Sequence, residues 1–440
     1  MRINTPFSAE QAHSLAQSAK DFNMPGLAIA VIAPGKKALM LHGVTSIAGR
    51  AVNERSWFSI ASVGKHFTAT ALLELAMRQR VDLSKPIGHY LTDVPRAWAS
   101  RSILSLLRHS SGLAEYLSAA PEEPIPADRS SFMARYSSLS PAFNEGTGWM
   151  YTNTNYILLG MLIAQLHGSN YADALHNLFV QINCGGATVA SPSWAREANE
   201  NDLSAASIDL ESAKREVIGD GDVCLTPNGA LIWLEQLVDG GLLDSQHHSL
   251  MLTAGPIATG RPSGYGCGWF IEPMDGGTIA HHGGHFDGWT AMSILNRSKA
   301  SGVIAMCNLA PGNTRAIRHI AQTALESFAP GSTPLSLNAM SDTAPELTQR
   351  IRTQLLREPN TAPNSEYLAD ELRLVAEHGS PVRSVPNLFA GEQPMGFDLV
   401  QRQSQETHTW HRYRLTYPNR IEHVLVGTSP EGKIFWAWPL

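Results

Sequence analysis

Apolar residues recur at three- and four-residue intervals at Phe67, Ala71, Leu72, Leu75 and Ala76, and this spacing predicts a helix from Val63 to Arg80. Ala9 to Phe22 reads as an earlier helix. Between them lie two apolar, strand-like runs, Gly26 to Ile32 and Ala38 to Gly43, with Pro34-Gly35 as their turn. Loops and short helices are expected from Asp82 to Thr152. Tyr156 to His167 is a second apolar helix with Gly168 as its stop, and Thr226 to Val238 a third. Strand character then returns at Gly264 to Glu272, Thr278 to His282, Thr290 to Asn296 and Gly302 to Asn308. Arg315 to Phe328 closes the unit as a helix.

Strands at both ends and helices between them predict an α+β fold. It would be an antiparallel sheet completed by the two ends of this unit, flanked by helices, with a helical region inserted. Pro330-Gly331-Ser332-Thr333-Pro334 reads as a linker. After it, helices are expected at Glu346 to Leu356 and Asn364 to His378. Strands follow at Gly396 to Gln401, Thr407 to Tyr417, Ile421 to Thr428 and Lys433 to Trp438. The chain is therefore read as two domains, residues 1–330 and a small α+β unit at 335–440. Its 440 residues agree with that division, because a single core seldom grows so large.

Composition narrows the function classes. Hydrophobic residues make up 43% and charged residues 16%, which is a globular balance. The net charge of -6 and the lack of any basic run argue against a nucleic-acid partner. The cysteines, Cys184, Cys224, Cys267 and Cys307, form no C-x-x-C pair and read as buried thiols. Neither a signal peptide at the N-terminus nor a membrane-spanning run is visible. The chain as it stands is expected in the cytoplasm, or in the periplasm if a leader has been removed.

Three segments carry candidate chemistry. In Ser62-Val63-Gly64-Lys65, the spacing puts both side chains on one helical face. A serine hydroxyl needs a neighbouring base, and a lysine serves only if burial or other cations lower its pKa. Lys65 is the only lysine with a serine three residues before it. In Tyr151-Thr152-Asn153, the phenol is a candidate proton carrier and the asparagine a hydrogen-bonding group. A core tyrosine beside a helix cap at Thr152, Asn153 or Thr154 is the plainer alternative. In His281-His282-Gly283-Gly284-His285, the glycines allow a substrate to lie along a strand edge. A zinc site is not expected there, because neighbouring strand residues face opposite ways and no carboxylate or cysteine completes a ligand set.

Together, Ser-x-x-Lys at an early helix start, Tyr-x-Asn before a mid-chain helix and His-x-Gly on a late strand resemble the serine β-lactamase and DD-peptidase superfamily. The likeness is greatest to its class C β-lactamase-like branch of esterases, D-aminopeptidases and carboxypeptidases. Leu106 to Leu113, Asn144 to Gly160 and Tyr265-Gly266-Cys267-Gly268-Trp269 extend the resemblance, which runs from about residue 7 to about 328. It implies that Ser62 attacks a carbonyl to form an acyl-enzyme and that Lys65 and Tyr151 manage the proton, without deciding which is the base. It further implies that Asn153 holds Lys65 and the substrate amide or ester. His282 stands where relatives carry a lysine or histidine, and the N–H groups of Ser62 and His285 are the expected oxyanion hole across Gly283 and Gly284.

A neutral histidine at 282 weakens the charge available to a substrate carboxylate, and bulky His285 narrows the cleft. The expected activity is hydrolysis of an ester or a D-amino-acid-containing amide in a small molecule or short peptide, with no cofactor and no metal. A true β-lactamase is the first alternative. A penicilloyl-binding sensor or scaffold that acylates without turnover is the second. The C-terminal unit resembles cystatin-like or nuclear-transport-factor-like domains in element order only, and dimerisation is among its candidate roles.

Overall fold

The computed structural model describes residues 2–440 except 46–48, 120–122, 202–213, 310–313, 359–360, 362, 378–388 and 390. Its largest sheet has seven strands, in the order Ile3–Asn4, Lys36–Gly43, Gly26–Ala33, Ser301–Cys307, Trp289–Asn296, Gly277–Phe286 and Phe270–Met274. All neighbours pair antiparallel except the first two, which run parallel. The early hairpin meets the late strands at the centre, where Ala30 pairs with Ile304.

The Gly26–Ala33 strand is buried along its whole length because both faces of the sheet are covered. Leu27, Ile29 and Val31 pack with Leu15 and Ala19 of the Ala9–Asp21 helix and with Ile317 and Ile320 of the Thr314–Phe328 helix. Ala28, Ala30 and Ile32 face the inserted helical body, including Trp233 and Leu234. The two-residue period of a strand thus reads out as two cores. Each fully buried Ile or Leu there contributes about 1.5–3 kcal/mol. A charge at Ile29 would leave an unpaired ion between sheet and helices, so it is a position where one change breaks the layer.

Helix ends follow local chemistry. Ser8 and Gln11 form a reciprocal capping box at the start of the first helix. Gly168, at φ 78°, ends the Asn153–His167 helix in the left-handed conformation that glycine adopts without penalty. The hairpin between Gly277–Phe286 and Trp289–Asn296 turns at Asp287 and Gly288, both at positive φ as a two-residue turn requires.

Residues 335–440 place the Pro345–Leu355 and Asp370–Glu377 helices before a four-stranded antiparallel meander of Gly396–Ser404, Thr409–Thr416, Ile421–Thr428 and Ile434–Pro439. Ile351, Leu355, Tyr413, Val424 and Val426 form its own core. A second apolar seam joins it to the rest of the chain, with Trp410, Phe435 and Trp436 against Tyr151, Tyr265 and Phe270. Trp438 stacks on Phe270 with centroids 4.2 Å apart.

Several boundaries differ from the sequence expectations, and three change the element itself or its reach toward the site. Gly264 to Glu272 is not one strand: the regular strand is Phe270–Met274, because Gly264 and Gly268 sit at φ 69° and 84° and turn the chain before it. The strand expected at Thr278 to His282 continues through Gly283, Gly284 and His285 to Phe286. The helix expected from Asn364 to His378 is a short 3-10 turn, Ser365–Tyr367, then a helix from Asp370 to Glu377, while His378 lies outside the described residues.

Candidate active site

Ser62 lies in a 3-10 turn, Ala61–Gly64, that runs directly into the Lys65–Met77 helix. Ala61 is held at φ 44°, a left-handed conformation that costs a non-glycine residue about 1–2 kcal/mol. Such strain beside a candidate nucleophile fixes the direction in which Ser62 projects. The turn-to-helix junction places the Lys65 amine 3.2 Å from the Ser62 hydroxyl oxygen.

Lys65 is fully buried. Its amine donates to Asn153 Oδ1 at 2.8 Å and to the Asp220 carbonyl at 2.5 Å, as well as toward Ser62. All three partners are neutral dipoles, so the charged form gains hydrogen bonds but no counter-ion at contact distance among the described residues. Burial therefore lowers the pKa to about 8, against a smaller upward pull from Asp220, Glu115 and Asp222.

Tyr151 is the second neighbour. Its ring centroid lies 5.0 Å from the Lys65 nitrogen. Its hydroxyl is buried without a hydrogen bond of ordinary geometry, yet Ser62 is near enough to oppose the effect of burial, which pushes the phenol well above its usual value. A phenolate is disfavoured in this setting. Asn153 begins the Asn153–His167 helix and does not cap it. Thr152 occupies the cap position, but its hydroxyl donates to the Ala114 carbonyl instead of closing the helix.

The late strand approaches from the other side. Phe270–Met274 pairs only with Gly277–His281, so His282 to Phe286 has no strand partner on that edge among the described residues. A Cβ on Gly284 would stand 2.1 Å from the Ile60 carbonyl oxygen and 3.2 Å from the Ser62 nitrogen. Glycine is required there for the strand edge to lie against the serine turn.

The three histidines diverge. His281 points to the opposite face and meets Glu272 at 3.1 Å, and Glu272 accepts from Arg412 at 2.6 Å. His282 faces the site, with Nε2 3.0 Å from the Tyr265 hydroxyl and Nδ1 donating to the Gly283 carbonyl at 2.7 Å. Burial and then the Lys65 charge lower its pKa to about 3, so it is neutral at pH 7. His285 is exposed at the mouth of the cleft. Among the described residues, no cluster of three His, Cys, Asp or Glu side chains is arranged to hold a metal.

Ser62, Asn153 and His285 share a cleft of about 640 Å³, counting its open mouth, with Tyr116, Arg215, Asp220 and Phe286. Tyr116 and Asp220 were not singled out in the sequence, and Tyr265 entered only as part of the Tyr265-to-Trp269 segment. Asp220 had a readable signal in Gly219-Asp220-Gly221. Gly219 sits at φ 128°, and a Cβ on Gly160 would stand 1.9 Å from the Ile218 carbonyl oxygen. These glycines let the loop descend until a backbone carbonyl reaches the lysine. Arg215 in the same cleft pairs with Asp222 at 3.3 Å.

No helix among the described residues is long and apolar enough to cross a membrane. The four cysteines are buried and unbridged.

The chain is similar to several known proteins. A D-aminopeptidase of Brucella canis (strain ATCC 23365 / NCTC 10854 / RM-666) is 26% identical over 299 residues, 65% of this chain and 56% of that protein. A Beta-lactamase of Providencia stuartii is 28% identical over 166 residues, 37% of this chain and 41% of that protein. The matched portions thus span about half the length of these curated relatives. Among solved structures, the D-amino acid amidase from Ochrobactrum anthropi SV3 superposes with a TM-score of 0.59 at 21% identity, over 72% of this chain and 97% of that one. The octameric penicillin-binding protein homologue from Pyrococcus abyssi covers 96% of this chain and 90% of its own, with a TM-score of 0.62 at 16% identity, so the fold likeness includes the C-terminal unit. Residues 13–327 match the family described as Beta-lactamase, and the chain belongs to that family of serine hydrolases.

Proposed function

We propose that this protein hydrolyses an ester or a D-amino-acid-containing amide through an acyl-enzyme on Ser62. The observation that carries the reading is the Lys65 amine: fully buried, 3.2 Å from the Ser62 oxygen, and lowered to about 8. At neutral pH a useful fraction of that amine is unprotonated and able to accept the serine proton. Tyr151, pushed upward by burial, serves as a neutral phenol that relays the proton, giving its own to the leaving group as it takes the one held by Lys65. Lys65 is thus the base in this reading.

Ser62 attacks the substrate carbonyl and Lys65 takes its proton. The backbone N–H groups of Ser62 and His285 stabilise the oxyanion across Gly283 and Gly284, and Asn153 holds the substrate amide or ester. The proton returns to the departing amine or alcohol, and water then releases the acyl group. His282 is uncharged and held by Tyr265, so it gives little to a substrate carboxylate. That favours an ester or amide substrate over a carboxylate-bearing β-lactam.

The test is fluorophosphonate labelling with peptide mapping on wild type and Ser62→Ala. The label is expected on Ser62, and the variant is expected to lose turnover by roughly four orders of magnitude or more. Nitrocefin turnover far above p-nitrophenyl ester turnover would instead make this a β-lactamase. A lasting mass adduct after β-lactam treatment would make it a sensor.

A further inference from the structure

We propose that Glu115 and Tyr116 are positioning residues for the Lys65 amine, each tethering one of the two groups that hold it. This rests on the acyl-enzyme reading above. The Glu115 carboxylate accepts the Asn153 backbone N–H at 2.6 Å, and the Asn153 side chain accepts from Lys65 at 2.8 Å. On the other side, the Tyr116 hydroxyl donates to the Asp220 carboxylate at 3.3 Å, and the Asp220 carbonyl accepts from Lys65 at 2.5 Å. Two adjacent residues therefore anchor both arms of the lysine cradle. Their own segment is stitched to the Asn153 helix: Tyr116 N donates to Thr154 Oγ1 at 3.1 Å, and Thr154 Oγ1 donates to the Ala114 carbonyl at 2.7 Å.

The environment of Glu115 separates it from a structural anion. Four glutamates are buried among the described residues: Glu115, Glu272, Glu371 and Glu422. Glu272 pairs with Arg412, Glu371 with Arg261, and Glu422 with Arg420. Glu115 has no ion-pair partner among the described residues and is 5% exposed. Its carboxylate is satisfied instead by two backbone N–H groups, those of Asn153 and of Leu117 at 3.1 Å. The charged and titratable groups that face it are Lys65, Asp220, Tyr116 and Tyr151. Burial raises its pKa to about 7, so it is ionised when Lys65 loses its proton near 8. An anion behind Asn153 holds the lysine proton more tightly, and removing that charge lowers the lysine further.

The test follows fluorophosphonate labelling of Ser62 in the full chain as a function of pH. Wild-type labelling is expected to rise with pH as Lys65 deprotonates. Glu115→Gln keeps an acceptor for the Asn153 N–H and removes the charge, so the midpoint should fall by about half a pH unit or more. Glu115→Asp, which restores charge, should return it toward wild type. Glu115→Ala, which cuts the arm, should lower kcat for a p-nitrophenyl ester about tenfold with KM little changed. A Glu115→Gln midpoint equal to that of wild type overturns the assignment, whatever the alanine variant does. If wild type does not label at Ser62 at all, it is the acyl-enzyme reading that fails.

Discussion

Two charged groups are buried to the same degree in this molecule and are treated in opposite ways. Lys65 is surrounded by a hydroxyl, an amide oxygen and a backbone carbonyl. Arg412 meets the Glu272 carboxylate at 2.6 Å, the Gln401 amide oxygen and the Pro273 carbonyl. The first cation has only dipoles at contact distance and is pushed toward neutrality. The second has a counter-ion at contact distance. Burial alone would raise the Glu272 pKa, but Arg412 and His281 outweigh it and hold the carboxyl below its usual range. A buried charge without a partner is free to lose its proton, whereas a buried charge with one is a fastening.

That contrast is broken most severely at Lys65. Lys65→Met should cut kcat/KM by roughly 10³-fold or more, about 4 kcal/mol of transition-state stabilisation, read with a p-nitrophenyl ester. Its effect on stability should have the opposite sign. Lys65 titrates near 8 in the folded chain and near 10.5 when exposed. Between those values the unfolded chain holds more proton, so stability rises with pH across that window. Below pH 8 the buried amine costs about 3 kcal/mol. The methionine variant removes that cost but leaves Asn153 and Asp220 without a donor, so a net gain of about 1–2 kcal/mol at pH 7 is expected in chemical denaturation. A destabilised Lys65→Met chain would contradict the account of Lys65 as an unpaired cation.

At Arg412 the pattern should invert. Arg412→Met strands the Glu272 carboxylate and should destabilise by about 3–5 kcal/mol. Combining it with Glu272→Leu should recover most of the loss, because a packed apolar pair replaces a desolvated ionic one. The surviving folded fraction should keep its kcat within about tenfold of wild type, as measured at low temperature.

The pH profile sharpens the same comparison. In the native protein, kcat/KM should rise toward a plateau with a midpoint near 8, following deprotonation of Lys65. His282, lowered to about 3, should add no limb between pH 5 and 8. An acid limb lost by His282→Ala would show that the histidine is a charged participant. The smallest effect is expected from Tyr265→Phe, which removes one hydrogen bond to His282 and leaves the bond to Gly283. Less than a tenfold fall in kcat/KM is anticipated.

Much of this was legible in the sequence because it is local. Ser62 and Lys65 are three residues apart, and helical geometry alone brings them together. The alternation of Leu27, Ile29 and Val31 with Ala28, Ala30 and Ile32 already describes a strand between two cores. The contacts of Glu115, Asp220 and Arg412 were not legible, because each acts across a long stretch of chain: Glu115 to Asn153 spans 38 residues, Lys65 to Asp220 spans 155, and Arg412 to Glu272 spans 140. No period or motif records such a contact. The misread strand at Gly264 to Glu272 has a different origin. Its apolar residues satisfy the strand pattern, but left-handed glycines override it.

The ring of Phe270 touches both halves of the protein. One side carries Trp438, while Tyr151 lies parallel to it at 6.4 Å and His281 at 5.4 Å. The stretch shared with the family ends at residue 327, well before Trp438 and Arg412. A gene truncated at that border would yield a polypeptide whose late strand has lost its backing and whose Glu272 carboxylate has lost its cation. The border of the family match and the border of the packed structure are different places on this chain, and expression vectors should respect the second.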